Sequence, residues 1–266
     1  MHLSSTHNPL IKYVRSLERA AVRRESGEYV AEGVRLLREA VTTGQTARVV
    51  LYDSEALQRS PDGALLLPDL IAWGHEAYEV DHHVMKAVSR TDHPGGALAV
   101  LKLPVMPPLD AQREAPFGIV LDTVSDPGNA GTIARTASAV GADYLVSTLT
   151  SVDLFGPKVV RAGMGAHFKL PLYSGVTWED LRSCLSDTSF VAASTDGEHA
   201  LYQFEWPERS VLVVGSEARG LSPQAGAAID ARVRIPMKAG VESLNVAIAA
   251  GILMYAARRP ILSSES

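Results

Sequence analysis

Asn129 and Arg135 follow a Gly-bearing turn in the stretch DPGNAGTIARTASAVG at 126–141, directly behind the apolar run FGIVLD. Strand, tight turn and helix in that order present backbone N–H groups and a helix N-terminus to a ligand. The glycine spacing is not that of a dinucleotide fingerprint, and no Lys follows as in a phosphate-binding loop. What the turn offers instead is an amide, which both donates and accepts, and a guanidinium, a fixed positive charge with a planar fork of donors. Pro127 and Gly128 make the turn and Asn129 is expected to cap the helix. Ala130, Ile133, Ala134, Ala137 and Val140 then share the packing face. Helical side chains lean toward the N-terminus, so Arg135 reaches over Gly131 toward the mouth of the loop. A cap followed by a surface arginine is the plain alternative.

Two later stretches carry similar residues. In VLVVGSEARGLSP (211–223), Gly215 ends an apolar strand and permits close backbone approach, and Glu217 and Arg219 follow. Glu217 either faces a ligand at the sheet edge or forms a loop salt bridge. In RIPMKAGVESLNVAIAAG (234–251), Ser243 is placed to cap a helix, and Asn245 lies in its first turn. An amide at the start of a buried helix needs hydrogen-bond partners.

These residues need a scaffold, and the chain supplies one. It has 266 residues, 46% of them hydrophobic, enough for one large domain or two modest ones. Strands are expected at 117–122, 143–148, 189–194, 210–215 and 232–235, with helices at 129–141, 177–186 and 243–258. Apolar strands with little alternation, separated by helices, predict an α/β domain with a parallel sheet covered on both faces. Ligands on such sheets bind outside the carboxyl ends of the strands, where the three stretches fall. The helix over 246–257 is apolar all round, which predicts burial in a core or a subunit interface. Upstream, helices near 7–24, 32–43, 64–73 and 82–89 and strands near 47–52, 76–80 and 96–102 predict a smaller α/β domain. Four prolines within 102–117 mark a linker, which gives domains at 1–105 and 117–266 joined by 106–116.

A single cysteine, Cys184, excludes an intrachain disulfide and a thiolate metal cluster. No apolar signal core or membrane-length run is present, which points to a cytoplasmic protein. His82 and His83 are adjacent without partner ligands and are expected to be polar surface. The net charge of −5 argues mildly against nucleic acid. Against it, Lys12, Arg15, Arg19 and Arg23 recur at helical spacing with Arg24 beside them, a net +4 between residues 12 and 24. That stripe is either a solvated face or a contact for a phosphate backbone.

The three C-terminal stretches, in this order, resemble the signature motifs of the SpoU (TrmH-type) RNA ribose 2′-O-methyltransferases of the SPOUT superfamily. They match the patterns DPxNxGxIxRTAxAxG, GxExxGLs and IPMxxxxxSLNV. PKVVRAGMGAHFKLP (157–171) is similar to the family's intervening segment, with Gly163 where the family has Ser. Ala256 stands where the family often has an acid. IKYVRSLERAAVRRESGEYVAEGVRLLREAV (11–41) and SRTDHPGGALAVLK (89–102) resemble the family's N-terminal substrate-binding domain, of ribosomal-protein-like fold.

The resemblance implies methyl transfer from S-adenosylmethionine to a ribose 2′-hydroxyl of structured RNA. Ribosomal RNA is favoured, with transfer RNA and a noncatalytic RNA-binding assembly factor as the alternatives. It implies a trefoil-knotted parallel sheet, a homodimer and no metal. By position, Ser194, Thr195, Gly215, Ile235 and Leu244 would hold the donor. Asn129, Arg135, Glu217, Ser243 and Asn245 match catalytic positions. Arg135 has been proposed as a base in the family, but a guanidinium gives up a proton with great reluctance. It is better suited to clamp a phosphate and developing oxygen charge. Glu217 would orient Arg135 or take the proton through water, and Lys12, Arg15, Arg19, Arg23 and Arg24 would meet RNA.

Overall fold

The computed structural model describes residues 1–109, 116–216 and 219–264, with side chains described to residue 259. Most of the expected 106–116 linker, residues 110–115, lies outside the described residues. The chain forms two compact units, Met1–Val105 with Phe155–Phe168, and Met106–Leu154 with Lys169–Ser266.

The first unit contains β1 (His2–Leu3), α1 (Pro9–Ser16), α2 (Ala20–Ser26), β2 (Glu28–Glu32), α3 (Val34–Thr42) and β3 (Ala47–Tyr52). It continues with α4 (Ser54–Gln58), α5 (Pro61–Trp73), β4 (Gly74–Val80), α6 (His82–Val88) and β5 (Ala97–Lys102). Its five strands are ordered β1-β4-β3-β5-β2, and β5 runs antiparallel to both β3 and β2. Ile11, Val14 and Leu17 descend from α1 onto Val49, Leu51, Val80, Leu98 and Val100, closing one core.

The expected single helix over 7–24 is two helices. α1 stops at Leu17, and α2 restarts after Arg19 and ends at Gly27 in the left-handed region (φ 67°). Arg23 explains the break. It is 3% exposed, and its guanidinium donates to the carbonyls of Leu17 (2.7 Å) and Glu18 (2.6 Å), neutralising the end of α1. Strand β2 was not expected, because Glu28 and Glu32 flank its apolar centre. Glu28 is buried as the partner of Arg48 Nε (2.6 Å) and the Tyr13 hydroxyl (2.5 Å), so its charge is compensated inside the sheet. His82 and His83 also have partners, Asp53 Oδ2 and the Ser4 carbonyl, each at 2.9 Å.

The second unit contains β6 (Phe117–Leu121), α7 (Pro127–Ala139), β7 (Tyr144–Thr148), β8 (Leu172–Val176), α9 (Trp178–Cys184) and β9 (Ser189–Ala193). It ends with β10 (His199–Ala200), β11 (Ser210–Val214), α10 (Pro223–Ala228), β12 (Ala231–Arg234) and α11 (Val246–Ser264). The seven strands are all parallel, ordered β10-β12-β9-β11-β6-β7-β8. Every residue of β6, β7 and β11 is buried, as a sheet covered on both faces requires. Gly118 is dictated by packing, since a Cβ there would lie 2.0 Å from the Tyr144 ring. Helix α8 (Pro157–Gly163), not expected as a helix and lying within the expected 117–266 domain, belongs by its packing to the first unit, where Phe155 meets Tyr29 edge-on at 5.3 Å.

Candidate active site

The parallel sheet has a switch point between β6 and β11. β7 and β8 follow on one side, and β9, β12 and β10 on the other. Loops leaving the carboxyl ends of two such strands diverge and leave a crevice. A cavity of about 620 Å³ opens in this region, at the carboxyl ends of β9, β11 and β12. Ser194, Thr195, Gly215, Ile235 and Leu244 all line it, together with Ser243. Gly215 is there by necessity, because a Cβ on it would lie 2.5 Å from the backbone carbon and oxygen of Gly220. The charged lining among the described residues is one carboxylate, Asp196, and one guanidinium, Arg232. Ser194 donates a hydrogen bond to Asp196, and this hydroxyl is the main reason its carboxyl is held below the usual aspartate value.

Beside the cavity the first and third stretches meet. Asn245 Nδ2 donates to Asn129 Oδ1 at 3.0 Å, a contact spanning 116 residues of chain. Two caps differ from expectation and together make this contact available. The cap of α7 is Asp126, whose carboxylate accepts from the Asn129 N–H at 2.7 Å. Asp before Pro at the first helical position is the local signal for this, and it frees the Asn129 side chain. The start of α11 is served by Asn245, not Ser243. Its Oδ1 accepts from the N–H groups of Ala247 (3.0 Å) and Ile248 (3.3 Å), while its Nδ2 turns to Asn129. Ser243 is thereby left exposed at the cavity wall.

Arg135 is exposed on α7 and makes no hydrogen bond or ion pair among the described residues. The helix below it is packed as expected, with Ala130, Ile133, Ala134, Ala137 and Val140 at most 1% exposed. Glu217 lies outside the described residues. In the first unit, Lys12, Arg15 and Arg19 are exposed around a shallow depression of about 340 Å³, together with Ser16, Glu18 and Arg90. Arg24 is exposed but outside this group, and Arg23 is withdrawn into the fold.

A profile of the SpoU rRNA methylase family matches residues 116–255, more than half the chain, and one of the MRM3-like substrate-binding domain matches residues 8–99. The chain belongs to the SpoU rRNA methylase family. This SpoU chain is 31% identical over 262 residues to an uncharacterized tRNA/rRNA methyltransferase of Synechocystis, covering 97% of this chain and 93% of that one. It is 29% identical to the 23S rRNA (guanosine(2553)-2′-O)-methyltransferase RlmP of Bacillus subtilis, covering 95% and 97%. Among solved structures, an AdoMet-bound rRNA methyltransferase from Sinorhizobium meliloti superposes with a TM-score of 0.84 at 28% identity, covering 98% of each chain.

Sequence reasoning passed over several residues in each unit, at the cavity of the second and at the basic depression of the first. Asp196 and Arg232 carry no motif. Arg90 joins the basic group only because tertiary packing brings its loop to α1. Asp122 had a signal, a carboxylate closing an otherwise apolar strand. It is fully buried, and a buried carboxylate without donors would not be tolerated.

Proposed function

We propose that the chain transfers a methyl group from S-adenosylmethionine to a ribose 2′-hydroxyl of ribosomal RNA. The observation that carries this is the 620 Å³ cavity at the strand ends, with the Asn129–Asn245 pair at its side. The volume suits a nucleoside-sized ligand. Its residues fit the donor's chemistry, since a wall of small residues, Gly215, Ser216 and Gly220, suits an adenosine, and one carboxylate with one guanidinium suits an amino-acid moiety. Ser194, Thr195, Gly215, Ile235 and Leu244 would hold it. When bound, the donor supplies a methyl group already activated on a sulfonium.

The protein's task is then alignment and charge. Asn129, Ser243 and Asn245 orient the 2′-hydroxyl, a contribution of the kind that makes two reactants behave as one molecule. Arg135, planar and permanently charged, clamps the neighbouring phosphate and the charge that develops on the oxygen. Glu217 orients Arg135 or takes the hydroxyl proton through water. Lys12, Arg15, Arg19 and Arg24, joined by Arg90, hold the RNA backbone, and the N-terminal domain (1–105) selects the target by shape.

The working unit is a homodimer with a trefoil-knotted second domain in a cytoplasmic protein. Support for the dimer comes from α11, which buries Val246, Ala247, Ala250, Leu253 and Met254 but exposes Ile248, Ile252 and Tyr255 on one face. The helix, expected to be buried in a core or a subunit interface, is covered on one side within the chain. The test of the function is to map 2′-O-methylation in ribosomal RNA from cells with and without the gene. One ribose that loses its methyl group in the deletion and regains it with purified protein and donor is the expected result. An unchanged map, with no transfer to ribosomal RNA by the purified protein, refutes the reading.

A further inference from the structure

Asp122 and Thr123 leave the end of β6 and do not line the cavity, yet between them they fasten both ends of a turn that does. Ser216 N–H donates to the Gly220 carbonyl at 3.1 Å, and Gly220 N–H returns a bond to the Ser216 carbonyl at 2.9 Å. The Thr123 hydroxyl sits across this closure. It accepts from Ser216 N–H at 3.2 Å, and its proton has the carbonyls of Gly220 (2.7 Å) and Asp122 (2.6 Å) in reach. At the far end, Asp122 accepts from the N–H of Ser222 at 2.6 Å and from its hydroxyl at 3.1 Å. Asp122 Oδ1 also accepts from Trp178 Nε1 (3.0 Å) and Thr148 Oγ1 (3.2 Å), which ties the turn to α9 and to the end of β7. Gly215, Ser216, Gly220, Leu221 and Ser222, so held, form one wall of the cavity.

The backbone at Thr123 says which property matters. Its φ is +60°, a conformation that a β-branched residue adopts only where its surroundings impose it. Glycine would sit there without strain. Threonine adds a hydroxyl, and that hydroxyl makes the cross-turn bonds.

We propose that Asp122 and Thr123 are positioning residues, which hold Gly215, Ser216 and Gly220–Ser222 in their donor-binding arrangement through the Thr123 hydroxyl and the Asp122 carboxylate. The inference rests on the donor-binding reading above. Its test uses the full chain, titrated with S-adenosylmethionine by calorimetry, with thermal melting measured separately without donor. Thr123→Ser keeps the hydroxyl and should bind within about threefold of wild type. Thr123→Gly removes it while relieving the strained backbone. It should melt within about 5 °C of wild type yet bind the donor at least tenfold more weakly. A residue that served only stability would move melting and affinity together. Thr123→Gly with wild-type affinity, or an affinity loss in Thr123→Ser equal to that in Thr123→Gly, overturns the latch alone. Wild-type protein that binds no donor overturns the donor reading and the latch with it.

Discussion

Arg135 is exposed over a helix whose packing face is elsewhere, so replacing it should spare the fold and report on chemistry alone. Arg135→Ala is expected to lower kcat by about 10²-fold or more while leaving donor affinity nearly intact, as when a charge-stabilising donor is removed. Arg135→Lys should restore little, because an ammonium cannot reproduce a planar two-pronged contact. Turnover near wild type in Arg135→Ala, with the fold confirmed by circular dichroism, would exclude the clamp. Asn245 combines two jobs on one amide, and they separate by substitution. Asn245→Ala removes the cap of α11 and should lower stability by about 1–2 kcal/mol, read by denaturant unfolding. Asn245→Asp keeps the capping oxygen but loses the N–H directed at Asn129. Stability should hold while kcat falls, and a wild-type kcat in Asn245→Asp would show that the contact with Asn129 does nothing for turnover.

At the scale of elements, the break between α1 and α2 divides the basic residues into two kinds. Lys12, Arg15 and Arg19 face solvent, whereas Arg23 closes the end of α1. Reversing the first three to Glu should weaken RNA binding and flatten its salt dependence by roughly one unit of slope per lost phosphate contact. Arg23→Ala should instead destabilise the protein by about 1–3 kcal/mol, because buried carbonyls lose a charged donor. Equal effects of both changes on RNA affinity at unchanged melting temperature would restore Arg23 to the contact surface. The loop between β9 and β10 carries a pH expectation. Asp196 is lowered first by its bond from Ser194, and Glu198 by backbone N–H groups including that of Arg232. Folded values below the unfolded ones mean that their stabilisation is present above the ordinary carboxylate range and fades as pH falls through the depressed values. Asp196, which lines the cavity, should therefore stay charged below the ordinary aspartate range, and Ser194→Ala should move the acid loss of donor affinity to higher pH.

At the scale of the whole molecule, the exposed face of α11 and the two-unit packing set the expectations. Ile252→Glu with Tyr255→Glu places charge on the more exposed side of α11, where Ile252 is 37% and Tyr255 52% exposed. Light scattering should show a monomer for that variant and a dimer for wild type. A wild-type monomer at micromolar concentration would refute the dimer. The packing of Phe155–Phe168 with the first unit also changes how a truncation is judged. A chain beginning at residue 106 keeps this segment but loses the strand carrying Tyr29, against which Phe155 rests. It should expose apolar surface and melt lower than the full chain, so loss of RNA methylation in such a fragment does not by itself assign RNA choice to the first unit.

Five of the seven strands from 117 onward and the helices α7, α9 and α11 were legible in the amino-acid sequence, because buried parallel strands are near-continuous apolar runs and those helices carry an apolar pattern; β8, β10 and α10, short or partly exposed, were not. Of the cavity wall, Ser194, Thr195, Gly215, Ile235 and Leu244 were named through the resemblance of the motifs to the SpoU family, whereas Asp196 and Arg232 were not named at all. Three things were settled by side-chain contacts that hydrophobic periodicity does not record. Local propensity favours Asn129 and Ser243 as caps, but Asp126 stands one position before a helix-starting proline and Asn245 had a partner across 116 residues. Periodicity continues smoothly through 7–24, and only the pull of the Leu17 and Glu18 carbonyls on Arg23 shows that the helix is broken. Strand β2 is bounded by glutamates that no pattern would bury, and it exists because Arg48 and Tyr13 arrive from elsewhere to compensate Glu28. Hydrophobic periodicity is written residue by residue, whereas a buried charge or a shared amide is tolerated only once its partner is in place, and that is a property of the folded chain.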